Sequence, residues 1–150
     1  MATSATIPGQ AKGLSFKVLV LGFIAGALAV PLGHQIVALI LYFVVQGRAF
    51  PWDMTPQANA HGLPRVVNLS FWGGVWGILW ALISPVVPRG SLYYVIATIF
   101  GAICATAVSA YVVTYLKGLP AGSFAGYGLY LNAGWGLAAA AFFELLKKKV

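Results

Sequence analysis

The chain has 150 residues, of which 61% are hydrophobic and only 7% are charged, and its formal net charge is +7 at pH 7. Soluble domains carry about 25% charged residues, so this composition excludes a soluble enzyme, a disordered chain and a nucleic-acid-binding domain. A chain of this length forms one domain. The sequence therefore predicts a single-domain integral membrane protein of the all-α class.

Four apolar segments are long enough to cross the hydrocarbon layer of a membrane as helices, which takes about 20 residues each. They cover approximately residues 18–45, 66–87, 92–116 and 124–146. None of them carries the polar stripe of a surface helix in a soluble protein. We therefore expect four transmembrane helices in a bundle, with the lipid bilayer as their surroundings.

Lysine and arginine are divided unequally between the two ends of these helices. Six lie on the side of the chain termini, namely Lys12, Lys17, Arg89, Lys147, Lys148 and Lys149. Three lie on the other side, namely Arg48, Arg65 and Lys117. The positive-inside rule then places both termini in the cytoplasm.

A weak internal repeat suggests two tandem helical hairpins within the bundle. Tyr42, Arg48 and Pro51 recur in kind as Tyr111, Lys117 and Pro120, and Asn68 with Trp76-Gly77 is echoed by Asn132 with Trp135-Gly136. Parallel repeats of this type occur in small membrane proteins.

Small residues recur four positions apart on the predicted helices, which places them on one helix face. The glycines concerned are Gly22, Gly26, Gly73, Gly77, Gly101, Gly122 and Gly126. Such faces let helices approach closely in lipid. The leading hypothesis is a non-catalytic membrane subunit that packs through these faces with copies of itself or with a larger membrane complex. Packing within one four-helix bundle is the structural alternative.

The segment from Pro31 to Gln35 interrupts the first predicted helix, because proline lacks the N–H that a helix needs. An ionisable residue inside the membrane, such as His34, indicates a functional site. The structural alternative is a neutral histidine that is hydrogen-bonded to Gln35 or to a serine or threonine on a neighbouring helix. Asn68 and Asn132 are further candidate polar groups and would pair through their amides if they face each other. His34, Gln35, Asn68 and Asn132 thus form a candidate polar site. The second hypothesis is a small-molecule or ion pathway formed by an oligomer, with its site at this break.

Trp72, Trp76 and Trp80 form one stripe at helical spacing. Tryptophans deep in a membrane stack against a flat ligand or fill a gap between helices. The third hypothesis is a binder of a hydrophobic cofactor (a quinone, a haem or a pigment) that uses His34 and this stripe, with the identity of any cofactor left open.

Two histidines and one cysteine match no metal-binding pattern. No P-loop, nucleophile elbow or paired carboxylate occurs, so no catalytic residue is expected.

The aromatic and glycine-rich segments 71–80 and 132–136 resemble patterns in small bacterial inner-membrane proteins of unassigned activity. We expect a bacterial-type inner (plasma) membrane as the location, without transferring any property from this resemblance. The resemblance implies no catalytic residue.

Overall fold

The computed structural model of the chain describes residues 15–58, 61–116 and 126–149. Over these residues the structure is helical with no β-strand, and four helices are long and apolar enough to cross a membrane. They are α1 (Phe16–Val44), α2 (Arg65–Val86), α3 (Ser91–Val113) and α4 (Tyr127–Lys148). The predicted all-helical class with four long apolar helices is confirmed.

Two contacts define the ends of the bundle. In the turn between α2 and α3, Arg89 forms an ion pair with Glu144 of α4, with 3.0 Å between Nη1 and Oε1. We call this end, where α1 begins and α4 finishes, the proximal end. At the opposite, distal end, the guanidinium of Arg48 lies 3.4 Å from the ring centre of Tyr127, the first residue of α4. The loop between α1 and α2 lies at the distal end.

The helix starts follow from local backbone chemistry. Pro64 precedes α2, and glycines with positive φ precede α3 and α4 (Gly90 at 83° and Gly126 at 119°). Only glycine adopts such angles without strain. A Cβ on Gly126 would meet nothing within 4 Å, so Gly126 starts a helix and is not the helix-packing residue that the sequence suggested. Gly122, Lys117 and Pro120 lie outside the described residues.

Helix α1 is broken in the middle, at the predicted position. A π-helical turn, Val30–His34, separates the α-helical parts Phe16–Ala29 and Gln35–Val44. Pro31 has no N–H to donate, and the Val30 N–H donates to the carbonyl of Ala27. This rearrangement changes which carbonyls of α1 are bonded within the helix.

Helix α3 contains two π-helical turns that the sequence did not predict. They are Gly101–Ala105 and Ser109–Val113, and the short α-helical piece Thr106–Val108 joins them. A last helical turn, Thr114–Leu116, follows. A π turn holds one more residue than an α turn and is frequent at functional sites.

The backbones of α1 and α2 touch through glycines. A Cβ on Gly26 would lie 2.1 Å from the carbonyl oxygen of Gly73, and one on Gly77 would lie 2.1 Å from that of Gly22. No side chain fits at these distances. These four glycines, which we call the α1/α2 seam, therefore hold the two helices at backbone contact.

The pairing of α3 with α4 has the same pattern. A Cβ on Gly101 would lie 2.2 Å from the carbonyl oxygen of Asn132, and one on Gly136 would lie 2.2 Å from that of Ala97. We call this contact the α3/α4 seam. Helix α1 also packs against α4, where a Cβ on Gly33 would lie 2.6 Å from the carbonyl oxygen of Gly134.

Large aromatic side chains, not glycines, separate α2 from α3. The Trp80 indole N–H donates to the Tyr93 hydroxyl at 2.9 Å, and the ring of Trp76 packs edge-on against Phe100. Trp80, Tyr93 and Phe143 are fully buried and fill the proximal half of the bundle. Because these aromatic contacts lie on the proximal side, they leave the distal half of the α2/α3 groove unfilled.

Candidate functional site

A cavity of about 130 Å³ lies in the distal half of the bundle, at the groove between α2 and α3. Five residues that the sequence marked as candidates line it, namely His34, Asn68, Trp72, Trp76 and Asn132. They come from α1, α2 and α4, and α3 closes the remaining wall. The fold thus brings three of the four candidate polar residues and two of the three candidate tryptophans to one place.

The π-helical turns shape this cavity. Val30 and His34 are the first and last residues of the π turn in α1, and both line the cavity. On the α3 side the lining residues Ala105, Ser109 and Val113 are all ends of π turns. The irregular turns in two helices therefore face the same space.

A hydrogen-bond chain fixes the orientation of Asn132. Its Nδ2 donates to Oγ1 of Thr106 at 2.9 Å, and the Thr106 hydroxyl donates to the carbonyl of Gly128 at 3.2 Å. With one N–H of Nδ2 engaged, the amide keeps its second N–H donor and the acceptor Oδ1 for other partners. The expected amide pair between Asn68 and Asn132 is wrong, because Asn132 donates to α3 instead.

His34 carries a buried polar atom without a partner. Among the described residues, its Nδ1 is the buried side-chain nitrogen or oxygen that makes no hydrogen bond. An unpaired buried polar group costs about 1–3 kcal/mol, and the protein around His34 encloses this atom, so a ligand would reach Nδ1 only after a side chain moves.

The tryptophan stripe is divided between two roles. Trp72 is 44% exposed and Trp76 is partly buried, and both face the cavity. Trp80 is 2% exposed, packs in the proximal core and donates to Tyr93. The expectation that Trp80 stacks on a ligand therefore does not hold, because its faces and its N–H are already engaged by protein.

A second cavity, of about 100 Å³, lies on the other side of His34 towards the distal end. Gln35 lines it, together with two arginines, Arg48 from the loop after α1 and Arg65 at the start of α2. Sequence reasoning used these arginines only to orient the chain. A feature of the sequence could have marked them, since both arginines flank a proline-rich loop that follows the broken helix.

The loop between α1 and α2 folds back onto the bundle. The Trp52 indole N–H donates to the carbonyl of Pro31 at 3.2 Å, which anchors the loop at the break in α1. Pro51 is buried, and Phe50 packs edge-on against Tyr42. Phe50 and Pro51 line the second cavity, so the loop forms one of its walls.

The described residues contain no group of three or more His, Cys, Asp or Glu side chains that would hold a metal ion. His61 is exposed in the loop, and Cys104 is exposed on α3. The candidate site is therefore built from neutral polar groups, aromatic rings and the two arginines.

Comparisons of the chain with protein-family models, with curated proteins and with solved structures find no match.

Proposed function

We propose that this chain is a non-catalytic multi-pass membrane protein that binds a small amphipathic ligand in the cavity between α2 and α3. The ligand class is a single ring that bears hydrogen-bonding oxygens, of which a quinone or quinol head group is an example. The observation that carries the proposal is the convergence of His34, Asn68 and Asn132 with Trp72 and Trp76 on one cavity.

The size of the cavity supports a single-ring ligand. An enclosed apolar cavity of about 150 Å³ in another protein admits benzene. The present cavity is slightly smaller, at about 130 Å³, but it is partly open, so a single ring fits with one edge projecting from it. A haem or another macrocycle is much larger than one ring. Of the cofactors considered from the sequence, the quinone class therefore suits the space best.

The polar groups support a ligand with both donors and acceptors. Oδ1 of Asn132 is an acceptor, the amide of Asn68 offers a donor and an acceptor, and both residues line the cavity. A quinol hydroxyl donates and a quinone carbonyl accepts, so each finds a complementary group. Trp72 and Trp76 supply flat apolar faces for the ring.

The position of the cavity supports entry from lipid. Trp72 is 44% exposed, and Ser109 and Val112 on the facing part of α3 are exposed or half-exposed. In a membrane these residues contact acyl chains, so a hydrophobic tail attached to the ring can remain in the bilayer. The pocket thus suits an amphipathic molecule delivered through the membrane.

We further propose a bacterial-type inner membrane with both termini in the cytoplasm. Of the described basic residues, Lys17, Arg89 and Lys147–Lys149 lie at the proximal end, whereas Arg48 and Arg65 lie at the distal end. The positive-inside rule puts the richer end in the cytoplasm. The similar geometry of the α1/α2 and α3/α4 seams also supports two tandem hairpins.

Binding of a short-chain benzoquinol, its quinone and toluene to the purified protein tests the ligand class, with isothermal titration calorimetry as the readout. We expect the quinol to bind about tenfold more tightly than toluene, since one additional hydrogen bond in a dry site contributes about 1.4 kcal/mol. Equal affinities for quinol and toluene would overturn the role of the polar groups.

A matched pair of variants tests the location. Ala105 is 6% exposed and lines the cavity, so Ala105→Leu fills it. Ala102→Leu makes the same change one turn earlier, away from the cavity lining. We expect Ala105→Leu to abolish quinol binding and Ala102→Leu to preserve it. Unchanged binding by a folded Ala105→Leu variant would overturn the proposal.

The other two hypotheses stay predictions. Gly22, Gly26, Gly73, Gly77 and Gly101 all contact another helix of the same chain, so a membrane subunit would need a different surface to meet its partner. The proximal core around Trp80 and Phe143 closes the interior of a single chain, so a pathway would have to run between copies in an oligomer.

A further inference from the structure

We infer that the second cavity, between the loop and the distal parts of α1 and α2, is a binding site for a phosphate-type anion. This inference does not rest on the ring ligand, because the two arginines that carry it line this cavity and not the first one. Two kinds of molecule carry such an anion, namely an anionic phospholipid, in its head group, and free phosphate.

The charge at this cavity is positive and lacks a close counter-ion. Arg48 and Arg65 both line it. Within the described residues the only ion pairs join Glu144 to Arg89 and to Lys147, at the other end of the bundle. Asp53 is the one acidic residue near Arg65, and its carboxylate accepts from the backbone N–H of Thr55 at 2.9 Å. The two arginines thus present donors without a carboxylate within ion-pair distance.

Arg48 is also held in place. The guanidinium of Arg48 stacks on the ring of Tyr127 at 3.4 Å, which leaves its edge for hydrogen bonds in the guanidinium plane. Arg65 is the first residue of α2, and no side chain caps the start of that helix. The uncapped N–H groups and the helix dipole add positive potential at the opening of this cavity.

The side chains of Gln35 and His34 line the inner part of this cavity. Gln35 is 3% exposed and lines the cavity, and His34 lies between this cavity and the first one. Phosphate oxygens accept from guanidinium and amide donors together, and bidentate arginine contacts are the strongest of these. A space of about 100 Å³ accommodates one tetrahedral anion but no larger head group, so the remainder of a lipid would extend outwards past the loop.

Native mass spectrometry of the full chain with defined lipids tests the site. The probes are phosphatidylglycerol and phosphatidylcholine, and the variants are Arg48→Gln/Arg65→Gln and the matched control Lys148→Gln/Lys149→Gln. Both double variants lose two positive charges, but at opposite ends. We expect wild type and control to retain one phosphatidylglycerol in preference to phosphatidylcholine, and the arginine variant to bind it about tenfold more weakly.

A second arm identifies the source of the anion. Inorganic phosphate is titrated against the thermal unfolding of the protein in a zwitterionic detergent. A rise in Tm that the arginine variant lacks supports free phosphate, whereas lipid retention without such a rise supports a head group. Equal behaviour of the arginine variant and the lysine control in both arms would overturn the site.

Three further variants keep the test decisive if the double glutamine variant misfolds. Arg48→Lys/Arg65→Lys keeps the charges but loses the bidentate geometry, and we expect it to retain part of the binding. If Arg48→Gln/Arg65→Gln does not fold, the single variants decide, each with an expected loss of about threefold. Wild-type affinity in both single variants would overturn the inference. None of these substitutions changes Ala105 or Asn132. Quinol binding can therefore be measured on the same variants as an independent test of the first cavity.

Discussion

Trp135 of α4 donates its indole N–H to the main-chain carbonyl of Gly26 in α1, 2.9 Å away and 109 residues earlier in the chain. This bond falls one turn before the break at Pro31, where the Val30 N–H bonds to Ala27 and not to Gly26. A tryptophan from another helix thus takes the carbonyl that the broken helix releases. In the same way, the indole N–H of Trp52 donates to the carbonyl of Pro31.

Replacement of Trp135 by Phe removes this donor and leaves the buried Gly26 carbonyl unpaired. We expect a loss of about 1–3 kcal/mol in the free energy of unfolding, measured by thermal or denaturant unfolding in detergent. Trp72→Phe is the control, because Trp72 is 44% exposed and makes no indole hydrogen bond to a described residue. Equal stabilities of the two variants would contradict the role assigned to Trp135.

The α1/α2 seam is expected to tolerate no added methyl group. Gly77→Ala places a Cβ 2.1 Å from the carbonyl oxygen of Gly22, whereas Gly128→Ala meets only a methyl group of Thr106 at 3.4 Å. Overpacking costs about 1–3 kcal/mol or more, and a relaxed Gly-to-Ala change in a helix stabilises by up to about 1 kcal/mol. We therefore expect a lower Tm for Gly77→Ala and an equal or higher Tm for Gly128→Ala. The reverse order would show that α1 and α2 are not at backbone contact.

The bond between Trp80 and Tyr93 is expected to appear as a coupling energy. In a double-mutant cycle of Trp80→Phe and Tyr93→Phe, we expect a coupling of about 1 kcal/mol, since each single change removes the same buried hydrogen bond. The cycle of Trp72→Phe with Tyr93→Phe serves as the additive reference. Additivity in both cycles would mean that the Trp80 N–H has another partner.

The loop contains one carboxyl group whose pKa the fold changes. The hydroxyl and the backbone N–H of Thr55 donate to Asp53 and lower the pKa of that carboxyl below its ordinary value. A lowered folded-state pKa means that the contact is present above the unfolded-state pKa of about 3.9 and is lost as the pH falls through the folded value. We therefore expect the Thr55 amide proton resonance to be constant from neutral pH down to about pH 5.

The Thr55 amide resonance should then shift only at a pH below the ordinary pKa range of aspartate. In the Asp53→Ala variant this pH-dependent shift should be absent. A transition centred above the ordinary value would contradict the hydrogen bonds between Asp53 and Thr55.

Much of the architecture was predictable from local sequence. Composition and run length indicate four long apolar helices, and Pro31 marks the break in α1 because the missing N–H is a local property. The four-residue spacing of Gly22, Gly26, Gly73 and Gly77 also indicated close helix packing. Spacing alone does not say which helix is the partner, and the contact turned out to lie within one chain.

The rest depends on contacts between distant segments. The π turns of α3 contain no proline, so no local feature of the sequence marks Ala105 or Ser109 as cavity residues. Trp72 and Trp80 look alike in a stripe, yet one faces the cavity and the other bonds to Tyr93. Asn132 bonds to Thr106, a pairing set by the packing of α3 on α4.

The most direct test of the central claim is photolabelling of the purified protein with a single-ring azidoquinone, followed by peptide mapping. If the cavity binds a ring, adducts concentrate on the α2 residues from Asn68 to Trp76 and on the α3 residues from Ala105 to Val113, and unlabelled quinol suppresses them. The Ala105→Leu variant then loses this labelling while Ala102→Leu keeps it. Labelling spread evenly over the exposed apolar surface, unchanged by quinol or by Ala105→Leu, would contradict ligand binding in this cavity.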